Sequence, residues 1–148
     1  MEFTLFIKIA LLPLGFYSEF NFPAGMTFII VAGAAGEIGY SPTPFWAADD
    51  CFVLNGKDKL FGRYLYHVLL KMKSQLASKV RKASIPRLSR IAIENLVIPV
   101  PPLEVQREIV RVLDKFTMLS AELSARQKQY GFYREKLLNH KYQINYVP

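Results

Sequence analysis

A chain of 148 residues with 51% hydrophobic and 14% aromatic residues can bury one domain-sized core, which excludes wholesale disorder. Its single cysteine, Cys51, excludes an internal disulfide and a cysteine-rich zinc site, and fits a cytoplasmic setting. The net charge of +7 is unevenly placed: residues 1–56 carry −4, residues 57–92 carry +9 and residues 93–148 carry +2, and a localised excess of this kind suits a polyanion, either nucleic acid or an anionic membrane surface.

Taken in chain order, the first element is the apolar run Leu5 to Tyr17. It follows Glu2 rather than a basic segment, contains Lys8, and is broken by Pro13, so a buried strand or core helix is expected there and not a membrane anchor. Residues 27–31, TFIIV, are β-branched and aromatic and lead into the small, flexible AGAAGEIGY, which reads as a strand entering a turn. The glycine spacing in GAAGEIG resembles a phosphate loop, but such a loop must open into a helix, and SPTP at 41–44 blocks one. FWAADDCFVLN at 45–55 reads as a second strand region, closed by the Asn55-Gly56 turn signal.

From Leu60 to about Val80 the spacing of apolar residues changes to that of a helix, with Lys71, Lys73 and Lys79 loading its C-terminal half. RKASIPRLSRIA at 81–92 is expected to be a loop, followed by a short strand from Leu96 to Val100 that Pro99 limits to an edge. Residues before a proline are pushed towards extended geometry, so Ile98 and Val100 keep the chain straight. Pro102 then suits the first helical position, with Glu104 in the first turn, making a rigid corner between a domain at 1–100 and a helical segment at 101–148.

The helix that follows carries the strongest periodicity in the chain. Ile109, Val112, Phe116, Leu119, Leu123, Arg126, Tyr130, Tyr133, Leu137 and His140 recur at alternating steps of three and four, a heptad register. A helix over residues 103–138 would be about 54 Å long at 1.5 Å per residue. Its apolar seam needs a second chain or a second copy of the module; the plainer alternative is a helix folded across its own domain. Arg126 and His140 weaken the far half of the seam, and Gly131 lowers helix propensity there.

Signs of catalysis are lacking. Asp49 and Asp50 are adjacent, so in a strand they face opposite sides and cannot serve one substrate as a carboxylate pair. His67 and His140 are far apart, with no second histidine or cysteine at ligand spacing, so no metal site is expected. The chain reads as a binder.

IPRLSR at 85–90, IENLVIPVPPLEVQREIVRVLDKF at 93–116 and FWAADDCFVL at 45–54 resemble the DNA specificity subunit of type I restriction-modification enzymes, a likeness running from about Thr27 to Leu138. The resemblance implies an α+β fold: a partial target recognition domain, with a small mixed sheet and a helix, followed by a long coiled-coil-type helix. It implies a half-subunit with a shortened recognition domain that reads one half of a bipartite target in double-stranded DNA. The long helix becomes a spacer that pairs with a second specificity half, or with its own copy in a homodimer, and docks the methyltransferase subunit. The restriction subunit joins through the complex. S-adenosylmethionine and ATP are then cofactors of those partners, and this chain is a non-catalytic subunit that holds neither.

Charge alone selects Lys79, Arg81, Lys82, Arg87 and Arg90 as candidate DNA contacts, since five cations fall within 12 residues. Ile109, Val112, Phe116, Leu119 and Leu123 are the candidate helix-pairing residues. The competing reading is a helical scaffold whose basic block meets an acidic protein or a membrane and reads no DNA.

Overall fold

The structure, a computed structural model, describes residues 19–138 together with the strands at Leu5–Lys8 and Pro13–Tyr17. Six strands, β1 (Leu5–Lys8), β2 (Pro13–Tyr17), β3 (Met26–Ile30), β4 (Ile38–Ser41), β5 (Phe45–Ala47) and β6 (Cys51–Leu54), precede four helices, α1 (Gly62–Lys71), α2 (Lys73–Ser78), α3 (Arg90–Glu94) and α4 (Leu103–Leu138). The α+β class is as expected, but the small sheet is in fact two. One is mixed, in the order β2-β1-β5, with β1 antiparallel to β2 and parallel to β5; the other is antiparallel, in the order β4-β3-β6. Within the Leu5 to Tyr17 run, Leu5–Lys8 and Pro13–Tyr17 form strands, and FWAADDCFVLN splits between the two sheets at a turn through Asp49 and Asp50.

β3 is the centre of the first compact unit because its apolar run has no polar face to give to water. Alternate side chains point to opposite sides of a strand. Phe28 and Ile30 thus pack with Phe45 and Ala47, whereas Ile29 joins Ile38 and the helical residues Leu65, Leu69 and Leu76, with Leu88 and Ile93. The Phe28 and Phe45 ring centroids lie 5.5 Å apart. Across the ladder from Phe28 stands Gly39, where any Cβ would collide with the Phe28 ring. Gly33 (φ 72°) and Gly36 (φ 90°) supply the left-handed residues of the turn between β3 and β4. The segment after that turn is a strand, which disposes of the phosphate-loop reading.

The expected Leu60 to Val80 helix breaks at Met72, whose backbone (φ −92°, ψ 8°) leaves the helical region between α1 and α2. α1 is fixed at its start by the buried Thr27, whose hydroxyl donates to the Gly62 carbonyl at 2.8 Å. Gly62 in turn lies so close to the Gly25 carbonyl that a Cβ has no room.

No strand forms at Leu96–Val100; residues 95–102 have no regular structure and no ladder partner. The reason is the density of proline: Pro99, Pro101 and Pro102 remove donors that an edge pairing would use, and Val97 is left 89% exposed. What holds this segment is side-chain chemistry. The Tyr64 hydroxyl donates to the Pro99 carbonyl at 3.1 Å, and Gln106, fully buried in the first turn of α4, is bonded on every side. Its Oε1 accepts from the Phe61 N–H at 2.8 Å, and its Nε2 donates to the carbonyls of Lys59 at 2.9 Å and Pro101 at 2.7 Å.

α4 opens at Leu103, with the Pro102 carbonyl accepting the Gln106 N–H at 3.1 Å, so Pro102 caps the helix from just outside it. The first compact unit ends at Val110 and the second begins at Arg111. Gln106 and Val110 are the buried residues of α4, and nothing in it beyond Val110 is buried.

Gln106→Ala would leave an N–H and two carbonyls without partners inside the protein. The expected loss is about 2–4 kcal/mol in urea unfolding. Gln106→Glu, which keeps the shape but sets an acceptor against two carbonyls, is expected to be no better tolerated. By contrast Gly131, in mid-helix with nothing within 4 Å of an added Cβ, should gain about 0.5–1 kcal/mol of helix stability as Gly131→Ala, read as a higher thermal midpoint by circular dichroism.

Candidate nucleic-acid interface

The basic segment after α2 is more ordered than a loop. Arg81 and Arg87 form an antiparallel bridge, each donating its N–H to the other's carbonyl, at 2.8 Å from Arg81 and 3.1 Å from Arg87. On the far side of the same short strand, Gly33 donates to the Pro86 carbonyl at 3.1 Å and Leu88 to the Val31 carbonyl at 2.9 Å, which pairs Arg87 with Ala32 as well. The backbone at Arg87 is therefore held along both edges. Residues 90–94, expected to lie in the loop and the strand approach, form α3 instead, with the Ser89 hydroxyl accepting the Ala92 N–H at 3.2 Å as its N-cap.

This arrangement brings four of the five candidate cations onto one hairpin. Lys79 stands at the C-cap of α2, where the helix dipole favours a cation; Arg81 and Arg87 close the hairpin, and Lys82 is the first residue of its loop. All four are exposed, no acidic residue occurs between positions 74 and 93, and among the described residues none of the four side chains makes an ion pair.

Arg90 is differently placed. Its Nε donates to Glu94 Oε1 at 2.6 Å within α3, and its guanidinium lies 5.2 Å from the centroid of Phe52. Other cations of the basic block are also engaged. Lys73 pairs with Glu37 at 2.8 Å, and the Arg63 guanidinium sits over the rings of Tyr40 and Tyr66, at 4.7 Å and 4.9 Å. The Arg63 cluster and the Gln106 staple were not visible in the sequence. Tyr40 and Arg63 come from different elements, and a single glutamine on a charged helix gives no sign that it is buried.

The candidate seam residues lie along α4. Ile109, in the first unit, is half-buried, whereas Val112, Phe116, Leu119 and Leu123 are exposed, Phe116 by 63%. Tyr130, Tyr133 and Leu137 continue the exposed stripe. At the polar seam position Arg126 bonds Glu122 one turn back at 2.7 Å; His140 lies outside the described residues. Among the described residues there is no cluster of three metal-ligating side chains, and no helix is long and apolar enough to cross a membrane.

Comparison with known proteins bears on both regions. The family model for the type I restriction modification DNA specificity domain matches residues 4–130, starting ahead of Thr27, where the motifs alone placed the likeness. A putative type I restriction enzyme specificity subunit of Haemophilus influenzae is 41% identical over 132 residues, covering 76% of this chain and 33% of that protein. A putative type I specificity subunit of Mycoplasma pneumoniae is 34% identical over 134 residues, covering 87% of this chain and 36% of that one. The chain thus spans about a third of the length of these curated relatives. The fold recurs in the S subunit of a type I restriction-modification system from M. genitalium, with a TM-score of 0.66 and 18% identity over 94% of this chain and 39% of that one. It recurs again in a chain solved in a study of complex assembly and conformational transition of the type I R-M system, with a TM-score of 0.72 and 22% identity over 90% of this chain and 36% of that one. With a family match over residues 4–130 and this fold over nine-tenths of its length, the chain belongs to the type I restriction-modification DNA specificity domain family.

Proposed function

We propose that this chain is a non-catalytic specificity module that reads one half of a bipartite duplex DNA target through its first compact unit. Its long helix pairs with a second specificity half or a second copy and docks a methylation subunit. Methylation with S-adenosylmethionine and ATP-dependent restriction belong to the partner subunits. The observation that carries the DNA reading is the hairpin at 79–87: four exposed cations, on a backbone held along both edges at Arg87, with no acid in its sequence neighbourhood. A solvated helix end has no use for the pinning or the absence of carboxylates, whereas both favour phosphate binding, because fixed donors lose less entropy on binding and no acid competes for the cations. Arg81, Arg87, Lys79 and Lys82 are the principal contacts in this reading. Arg90 has a smaller part because Glu94 already offsets its charge.

The pairing reading rests on the exposed stripe at Val112, Phe116, Leu119 and Leu123. Side chains of this size at heptad spacing gain about 1.5–3 kcal/mol each when fully buried, and a facing helix buries several at once.

Each phosphate neutralised on a duplex contributes about −0.9 to the slope of log K against log salt. Titration of a duplex at several salt concentrations should accordingly give a steep slope that Lys79→Gln and Lys82→Gln each make shallower by roughly one, with Arg90→Ala changing it less; affinity that ignores salt and all three substitutions would sink the DNA reading. Leu119→Glu combined with Leu123→Glu should abolish self-association, or association with a second specificity half, in sedimentation experiments while leaving DNA affinity per module intact. Unchanged association would remove the seam from the proposal.

A further inference from the structure

Arg81 and Arg87 face each other across the bridge that closes the hairpin. Residues exchanging both backbone hydrogen bonds in an antiparallel pair have Cα atoms about 5.5 Å apart, with side chains on the same face. Two cations directly opposite are ordinarily destabilising. Here the strand carrying Arg87 cannot slide away, because Val31 and Gly33 hold it from the other edge. Among the described residues no acid is ion-paired with either arginine. Glu37, in the turn that the hairpin packs beside, is bonded to Lys73 at 2.8 Å, and Glu94 is bonded to Arg90 at 2.6 Å. Ala32, the residue opposite Arg87 on its other side, offers only a methyl group.

We propose that Arg81 and Arg87 form a two-arginine clamp for a single tetrahedral oxyanion, which on a bound duplex is one backbone phosphate. A guanidinium offers parallel N–H donors in a planar fork matched to phosphate oxygens. Two such forks on neighbouring stems can share the oxygens of one phosphate, and the anion then sits where the mutual repulsion of the cations is greatest. Because the bridge uses backbone atoms only, replacing either side chain leaves the hairpin closed. The clamp rests on the DNA reading for the identity of its ligand, but not for the chemistry of the site, so free sulfate serves as a separate probe.

Two measurements test it. Thermal unfolding of the intact chain in sodium sulfate should exceed that in sodium chloride at equal ionic strength, by about 2–4 °C. Sulfate also stabilises folded chains generally by exclusion from their surface, so Arg81→Gln and Arg87→Gln should each lower the difference to that general effect, and Lys82→Gln should leave it larger. In duplex titrations against salt, the double variant should make the slope shallower by about 0.9 and no more, and neither single variant by more than the double, since a shared phosphate can be lost only once. A loss of about 1.8 in the double variant, as for two separate phosphates, overturns the clamp. So does equal melting in sulfate and chloride, or a sulfate effect that Lys82→Gln lowers as fully as the arginine variants. A chain with no salt-dependent affinity for duplex would overturn the DNA reading alone, because the sulfate comparison still decides the clamp.

Discussion

The Gln106 side chain is the constraint on which the arrangement of the first unit depends. An amide is both donor and acceptor, so one side chain can satisfy the N–H that begins α1 and two carbonyls, Lys59 ahead of α1 and Pro101 ahead of α4. Full burial makes each of those bonds obligatory, since none can be exchanged for water. The constraint then passes inward. α1 starts at Gly62, the Gly62 carbonyl is held by Thr27, and Thr27 lies on β3, whose neighbours Phe28, Ile29 and Ile30 anchor both core clusters. A short series of buried polar contacts thus fixes the first turns of α4 to the central strand, with the proline-rich segment held by Tyr64.

That series also explains how an unpaired stretch between α3 and α4 can be well placed. Prolines deny residues 99–102 a ladder, but they leave carbonyls free, and two of these, from Pro99 and Pro101, accept side-chain donors. The segment before α4 is held by a mechanism other than the expected strand pairing. Restricted backbone angles at the prolines reduce what must be ordered, and the buried donors of Tyr64 and Gln106 supply the direction.

Charge follows a comparable division. The basic excess of residues 57–92 looks uniform in the sequence, yet folding sorts it. Arg63 is set over two tyrosine rings, Lys73 and Arg90 are paired with glutamates, and Lys79, Arg81, Lys82 and Arg87 are left together on a pinned hairpin. Exposed ion pairs contribute little to stability. Their greater effect here is to engage Glu37 and Glu94 with other cations, so that neither offsets the charge of the hairpin.

Elements whose cause is local could be read from the sequence. α4 declares itself by a heptad repeat sustained over its length, β3 by its continuous β-branched and aromatic run, and the turn after β3 by its glycines. The family likeness in PLEVQREI was legible for a similar reason: it is a contiguous string whose residues serve one junction. Elements whose cause is distant were misread. The strand expected at Leu96–Val100 needs a neighbour that never approaches, and the segment at 81–92 acquires bridges from Val31 to Gly33; FWAADDCFVLN is a strand region as expected, but its division between two sheets depends on distant partners. Sequence determined where the cations, the heptad seam and the prolines stand along the chain, because composition and periodicity are properties of neighbours. Only the tertiary structure decided which cations are free, which glutamine is buried and which arginines face each other, because hydrogen bonds and ion pairs between remote segments are chosen by proximity in space.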